Sequence, residues 1–209
     1  MAKPPLNRDT RLCISLAARP SNIGTRFHNY LYEQLGLDFI YKACTTTDIT
    51  AAIGGVRALG IRGCSVSMPF KQDVLELVDH VEESARAIHA VNTIVNDGGV
   101  LTAANTDYIA VLSLIGDHGL DTHRSVLIRG SGGMASAVAT AFRDSGFGTG
   151  TIVARNSDTG PALARRLGYE WRPEVGNAEA TVIVNVTPIG MADGPGERER
   201  AFDEQTIAA

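Results

Sequence analysis

Apolar positions along this chain fall into short continuous runs, separated by stretches in which they recur every three to four residues. That alternation predicts strands and helices in turn. Arg11–Leu16 reads as a strand. Phe27, Leu31 and Tyr30/Leu35 have helical spacing and predict a helix over Thr25–Leu35. Asp38–Cys44 predicts a second strand. Asp48–Leu59 predicts a helix, with Asp48 as its cap and Gly60 as its stop. A short strand is expected at Cys64–Ser67, and helices at Lys71–Val78 and Glu82–Ala90. Asn92–Val95 and Val100–Ala104 flank Asn96-Asp97-Gly98-Gly99, a hairpin turn.

Asn105–Ile115 predicts a helix that leaves this first region. Asn105 or Thr106 can cap it, and Asp107 falls in its first turn, where the helix dipole favours a carboxylate. The pattern then restarts. Strands are expected at Ser125–Ile128, Thr151–Ala154 and Ala180–Val186, with helices at Met134–Asp144 and Pro161–Leu167. This βαβαβ order implies a parallel sheet and a mononucleotide-binding half. The fold class is α/β, with three expected divisions: residues 1–105, a connecting helix and linker over 106–122, and residues 123–209. Three strands are few for a doubly wound sheet, so the natural chain is expected to continue beyond residue 209.

The 209 residues are 44% hydrophobic and 20% charged, as in ordinary globular proteins. A net charge of -4 argues against nucleic acid or an acidic membrane as partner. No apolar run approaches the roughly 18 residues of a membrane span. Leu12–Ala18, bounded by Arg11 and Arg19, reads as a buried strand rather than a signal segment, and a cytoplasmic location is expected. Cys13, Cys44 and Cys64 lack metal-type spacing and read as structural thiols. His28 reads as a packed helix residue. His80, His89, His118 and His123 show no ligand spacing, so no metal is expected.

Two features carry chemistry. The first is Gly130-Ser131-Gly132-Gly133-Met134-Ala135, between an expected strand and an expected helix. There Gly130 makes the tight turn, Gly132 and Gly133 let backbone N–H groups approach a pyrophosphate, and Ala135 allows close helix–strand contact. The alternative is a helix-entry turn without a ligand. At the end of the next strand, where an NAD-binding chain commonly carries Asp or Glu, stands Ala154-Arg155-Asn156. A guanidinium there can pair with a 2′-phosphate, which favours NADP over NAD; a solvated surface arginine is the alternative. The second feature is Lys71, closing Ser67-Met-Pro-Phe-Lys71, together with Asp107, closing Asn105-Thr106-Asp107. A lysine and a carboxylate can share a proton, as the oxidation of an alcohol by a nicotinamide cofactor requires. The alternatives are a surface lysine opening a helix and a first-turn helix charge.

These residues resemble the shikimate dehydrogenase family. The likeness runs through His28-Asn29, Met68-Pro69-Phe70-Lys71, Val91-Asn92-Thr93, Asn105-Thr106-Asp107, the Gly130–Ala135 turn and Asn185-Val186-Thr187-Pro188-Ile189-Gly190-Met191. The resemblance implies an N-terminal substrate domain, an NADP-binding Rossmann-type domain and a cleft between them. It also implies about sixty further residues, including helices that return to the first domain and a glutamine that touches substrate. Lys71 would be the general base and Asp107 would hold it and the reacting hydroxyl. Asn92 would orient a second ring hydroxyl. Asn185, Thr187 and Gly190 would line the nicotinamide side.

The family's Ser-x-Ser-Pro, whose serines bind the substrate carboxylate, aligns with Asn22 and Gly24. Asn22 keeps hydrogen-bonding groups, and Ser21 and Thr25 are adjacent hydroxyls; Ser67 joins the expected substrate-binding set. This pattern is similar to the divergent shikimate dehydrogenase-like branch. The expected activity interconverts shikimate and 3-dehydroshikimate, or a related ring acid such as quinate, in a monomer or homodimer. The competing expectation is a non-catalytic NADP-binding sensor.

Overall fold

The computed structural model describes residues 2–192, 194 and 196–208. The chain divides into two compact units, one ending at Thr106 and the other beginning at Asp107.

The first unit runs β1 (Arg11–Ala17), α1 (Asn22–Gln34), β2 (Phe39–Thr45), α2 (Ile49–Ala58) and β3 (Gly63–Val66). It continues with a 3₁₀ turn (Asp73–Glu76), β4 (His80–Val81), α3 (Glu83–Arg86), β5 (Thr93–Asp97) and β6 (Val100–Ala104). The strands form one mixed sheet in the order β2-β1-β3-β5-β6-β4. Strand β1 runs parallel to both β2 and β3. Strand β5 turns antiparallel against β3 and pairs with β6 as a hairpin.

Residues in register across a parallel pair share a face of the sheet. Ile14 and Leu16 of β1 therefore pack with Cys64 and Val66 of β3, beneath Ile53 and Val56 of α2. Cys13 and Tyr41 are also in register, on the opposite face, where α1 lies against β2.

Helix α2 has the predicted cap: the Asp48 carboxylate accepts the Ala51 N–H at 2.9 Å. Helix α1 differs from its periodicity. Phe27, Tyr30 and Leu35 are 55%, 59% and 66% exposed, and the stripe against the sheet is built from Gly24, His28 and the Asn29 amide. The sheet offers Tyr41 and backbone groups there, so a small residue and a hydrogen-bonding side chain fit where large apolar ones would not.

The helix expected at Lys71–Val78 contracts to the 3₁₀ turn, because the Lys71 carbonyl is taken by the Val91 N–H at 2.7 Å. Phe70 and Val74 still bury themselves. The helix expected at Glu82–Ala90 stops after one turn. His89 takes a positive φ of 53°, and the Ala90 N–H returns to the Ala85 carbonyl, a left-handed cap made without glycine.

The second unit comprises α4 (Thr106–Asp117, whose first residue closes the first unit), β7 (Val126–Arg129), α5 (Gly133–Asp144), β8 (Gly150–Val153), α6 (Thr159–Leu167), β9 (Glu170–Arg172), β10 (Val182–Asn185) and α7 (Glu204–Ala208). Its four strands are all parallel, in the order β10-β7-β8-β9. The three-residue edge strand β9 is too short to have shown a period. Strand β7 is buried on both faces. Val126 and Ile128 pack with Ala135, Val138, Leu163 and Ala164, while Leu127 packs with Val153, Ala178 and Phe202 on the other side.

Candidate functional site

In the second unit, the chain leaves β7 at Gly130 and enters α5 at Gly133. Gly130 has a φ of +134°, and a Cβ there would meet Val186 Cγ2 at 2.9 Å and the Val186 carbonyl oxygen at 3.2 Å. Both the dihedral and the close approach require glycine. Gly132 and Gly133 face open space, and among the described residues no side chain caps the N-terminus of α5. Its first-turn N–H groups lack intrahelical acceptors. Ser131 lies 2.7 Å from the Thr159 hydroxyl, tying the turn to α6. Met134 is partly exposed and Ala135 is buried.

Arg155 follows β8 on the surface and makes no ion pair among the described residues. The neighbouring Asn156 is used locally, its side-chain oxygen accepting the Asp158 and Thr159 N–H groups. At the end of β10, Asn185 accepts from the Thr187 N–H and hydroxyl and donates to the Ile189 carbonyl. This network shapes the turn past β10, whose neighbour β7 leads into the glycine turn.

In the first unit, the expected substrate residues gather past the C-terminal ends of the parallel strands β1 and β3. Open α/β sheets place their ligands at such ends. The Ser67 N–H bonds the Leu16 carbonyl at 2.9 Å, and the Ala18 N–H bonds the Met68 carbonyl at 3.3 Å. The Ser67–Lys71 turn, with its cis Met68–Pro69 bond, is thus pinned beside the end of β1. Lys71 is half-buried there, and Ser67 is exposed.

Asn92 stands next to this turn, since its carbonyl accepts the Val66 N–H at 2.8 Å. Its side-chain oxygen accepts the Thr106 N–H at 2.9 Å, and its amide donates to the Thr106 hydroxyl at 3.0 Å. Asn92 therefore caps α4, the helix that carries Asp107 half-buried in its first turn. Asn105 is buried and donates to the Ala90 carbonyl.

On α1, the Ser21 hydroxyl accepts the Ile23 N–H at 3.4 Å as the helix cap, and the Thr25 hydroxyl accepts the Ala43 N–H at 3.2 Å. Asn22 is exposed. Sequence reasoning missed Tyr41, which lies beneath this first turn. Nothing in its local pattern marks it, because its neighbours come from α1 and β1.

Burial holds His28 below the ordinary imidazole range and pushes the Cys64 thiol up to about 12, so Cys64 is not a ready nucleophile. Cys13 is also buried, whereas Cys44 is partly exposed. Among the described residues no group of three His, Cys, Asp or Glu side chains could hold a metal ion. None of their helices is long and apolar enough to cross a membrane. A hollow of about 450 Å³ opens at the other end of the first sheet, lined by Arg11, Arg57, Arg62 and the β5–β6 turn. None of the expected site residues lines it. Its charge is largely spent internally, since Arg57 pairs with Asp79 and Arg62 with Asp97.

An open glycine turn on a parallel sheet, joined to a unit carrying a lysine at its strand ends, describes a two-unit α/β protein of the dinucleotide-dependent dehydrogenase type. The comparisons with known proteins make this specific. Residues 22–94 match the profile of the shikimate dehydrogenase substrate binding domain. The chain is 55% identical to a shikimate dehydrogenase-like protein of Haemophilus influenzae over 97% of its own length and 74% of that protein's. It is 34% identical to the NADP(+) shikimate dehydrogenase of Rubrobacter xylanophilus, over 93% and 73% of the two chains.

Among solved structures, a shikimate 5-dehydrogenase-like protein superposes with a TM-score of 0.93 at 55% identity, over 97% of this chain and 76% of that one. A shikimate 5-dehydrogenase from Thermus thermophilus, in complex with NADP(H) and shikimate, superposes at 0.75 with 29% identity, over 86% and 69%. This chain belongs to the shikimate dehydrogenase family.

Proposed function

We propose that this protein is an NADP-dependent oxidoreductase that interconverts a ring hydroxyl and a ketone on shikimate or a closely related cyclic hydroxy acid such as quinate. The observation that carries the reading is the open, uncapped glycine turn between β7 and α5. It stands in a chain 34% identical to an NADP(+) shikimate dehydrogenase.

The residues fit the cofactor. The α5 N-terminus offers backbone N–H groups and the positive end of the helix dipole to a pyrophosphate. Arg155, which makes no ion pair among the described residues, offers a guanidinium to a 2′-phosphate. Asn185 and Thr187 shape the wall at the nicotinamide side. NADP, when bound, supplies the hydride acceptor.

The chain supplies the proton chemistry. Lys71 takes the hydroxyl proton as the carbon is oxidised and returns it in the reverse direction. Asp107 holds Lys71 and the reacting hydroxyl. Asn92, whose backbone carbonyl accepts the Val66 N–H and whose side chain accepts the Thr106 N–H, orients a second ring hydroxyl. Ser67, Asn22 and the first turn of α1 meet the rest of the ring acid.

The test is the rate of NADPH formation with NADP and shikimate, then quinate, for the protein and its Lys71→Ala variant. Loss of a general base is expected to lower turnover by about 10²–10⁴, with NADP affinity within twofold. Equal losses of turnover and NADP affinity would overturn the role of Lys71. A second reading, a non-catalytic NADP-binding sensor, is favoured by the absence of any side chain at Gly24. NADP binding without turnover of any ring acid would establish it.

A further inference from the structure

The first turn of α1 holds a hydroxyl that the sequence did not reveal. Tyr41 lies in the middle of β2 and is only 5% exposed. It is fixed from two sides. The Asn29 side chain bonds both of its backbone groups, accepting the Tyr41 N–H at 3.0 Å and donating to the Tyr41 carbonyl at 2.8 Å. The His28 ring stacks on its ring, with centroids 4.3 Å apart and planes 25° apart.

So held, the ring points under the first turn of the helix. A Cβ at Gly24 would lie 3.6 Å from Tyr41 Cε1 and 3.7 Å from its hydroxyl oxygen. With no side chain at Gly24, nothing from that position lies over the hydroxyl.

No hydrogen bond among the described residues uses that hydroxyl. Among the described residues no unpartnered side-chain nitrogen or oxygen is wholly buried, so the Tyr41 oxygen keeps a small exposed area. It does so next to a helix N-terminus of 13 residues, where the backbone N–H groups of Asn22 and Gly24 lack intrahelical acceptors. The other two hydroxyls at this turn serve the fold as acceptors, Ser21 from the Ile23 N–H and Thr25 from the Ala43 N–H, and each keeps its own O–H. A phenol donor and two backbone donors at the positive end of a helix dipole make a site for a small anion.

We infer that Tyr41 is a specificity-determining residue: its hydroxyl donates to the acid group of the substrate through the opening at Gly24. This rests on the proposed function, in which the substrate is a ring acid. The phenol takes no part in the proton transfer. It contributes a hydrogen bond to a carboxylate, present equally before and after oxidation, so it acts on binding rather than on the chemical step.

The experiment compares the protein with Tyr41→Phe, which keeps the ring and its stacking and removes only the oxygen. Each is assayed with the ring acid that the protein oxidises and with the methyl ester of that acid. KM for the acid is expected to rise at least tenfold with kcat within twofold, while KM for the ester stays within twofold. Adding Gly24→Ser to Tyr41→Phe returns a hydroxyl to the same opening and is expected to recover at least threefold of the loss. Unchanged KM for the acid, or an equal rise for acid and ester, would overturn the role of Tyr41 and leave the proposed function standing. A wild-type protein that neither oxidises nor binds any ring acid of the panel would overturn both.

Discussion

Gly130→Ala is the substitution with the most calculable consequence. Two costs add at this position. The φ of +134° lies in a region that L side chains rarely adopt, and holding one there costs about 1–3 kcal/mol. The new methyl would also meet Val186 Cγ2 at 2.9 Å and the Val186 carbonyl at 3.2 Å. The carbonyl belongs to a residue whose N–H bonds Arg129, so the backbone cannot simply step aside. Overpacking of this kind costs typically about 1–3 kcal/mol.

The sum is roughly 2–6 kcal/mol, borne by the second unit, because both Gly130 and Val186 belong to it. For a unit of about a hundred residues, 2 kcal/mol lowers the melting temperature by roughly 8–16 °C. The assay is thermal unfolding followed by the fluorescence of Trp171, the single tryptophan, which sits in the second unit on β9. NADP affinity is measured in parallel, and is expected to fall because the displaced turn no longer presents the α5 N-terminus. A melting temperature within 2 °C of the wild type would refute the account of Gly130 as a position closed to any side chain.

Two further outcomes are expected. Arg155→Ala should lower affinity for NADP at least tenfold while leaving NAD affinity within twofold, read by titration of each cofactor; equal losses would count against a 2′-phosphate contact. His28 has its folded pKa below the unfolded value of 6.5 through burial. Its neutral ring therefore contributes stability that is present above pH 6.5 and is lost as pH falls through the folded pKa. Melting temperature should drop more steeply between pH 7 and 5 in the wild type than in His28→Phe, and parallel curves would show that His28 carries no such linkage.

Much of the architecture was legible in the chain because local physics decides it. Short apolar runs and three-to-four spacings marked most strands and the longer helices, and Asp48 stands where a cap was expected. Glycines between β7 and α5 announced a turn that only glycine can make. The misreadings have a common cause, which is competition from distant partners. The segment after Lys71 has helical spacing, but Val91 takes the Lys71 carbonyl and leaves a single 3₁₀ turn. The large apolar residues of α1 mark its period, yet the sheet beneath selects Gly24, His28 and Asn29 for the packed face. Strands β4 and β9, of two and three residues, exist only because β6 and β8 offer them an edge.

For the candidate site the same division holds. Sequence alone determined the α/β alternation and the glycine turn and singled out Lys71, Asp107 and Arg155 as candidates, because each is carried by residue type and short-range order. Tertiary structure decided which polar side chains serve the fold. Ser21 and Thr25 accept from backbone N–H groups and Asn92 bonds Thr106, while the Tyr41 oxygen under Gly24 has no hydrogen-bond partner among the described residues. That outcome depends on the register of β1 and β2 and on the docking of α1, contacts between residues far apart in the chain whose geometry no local pattern encodes.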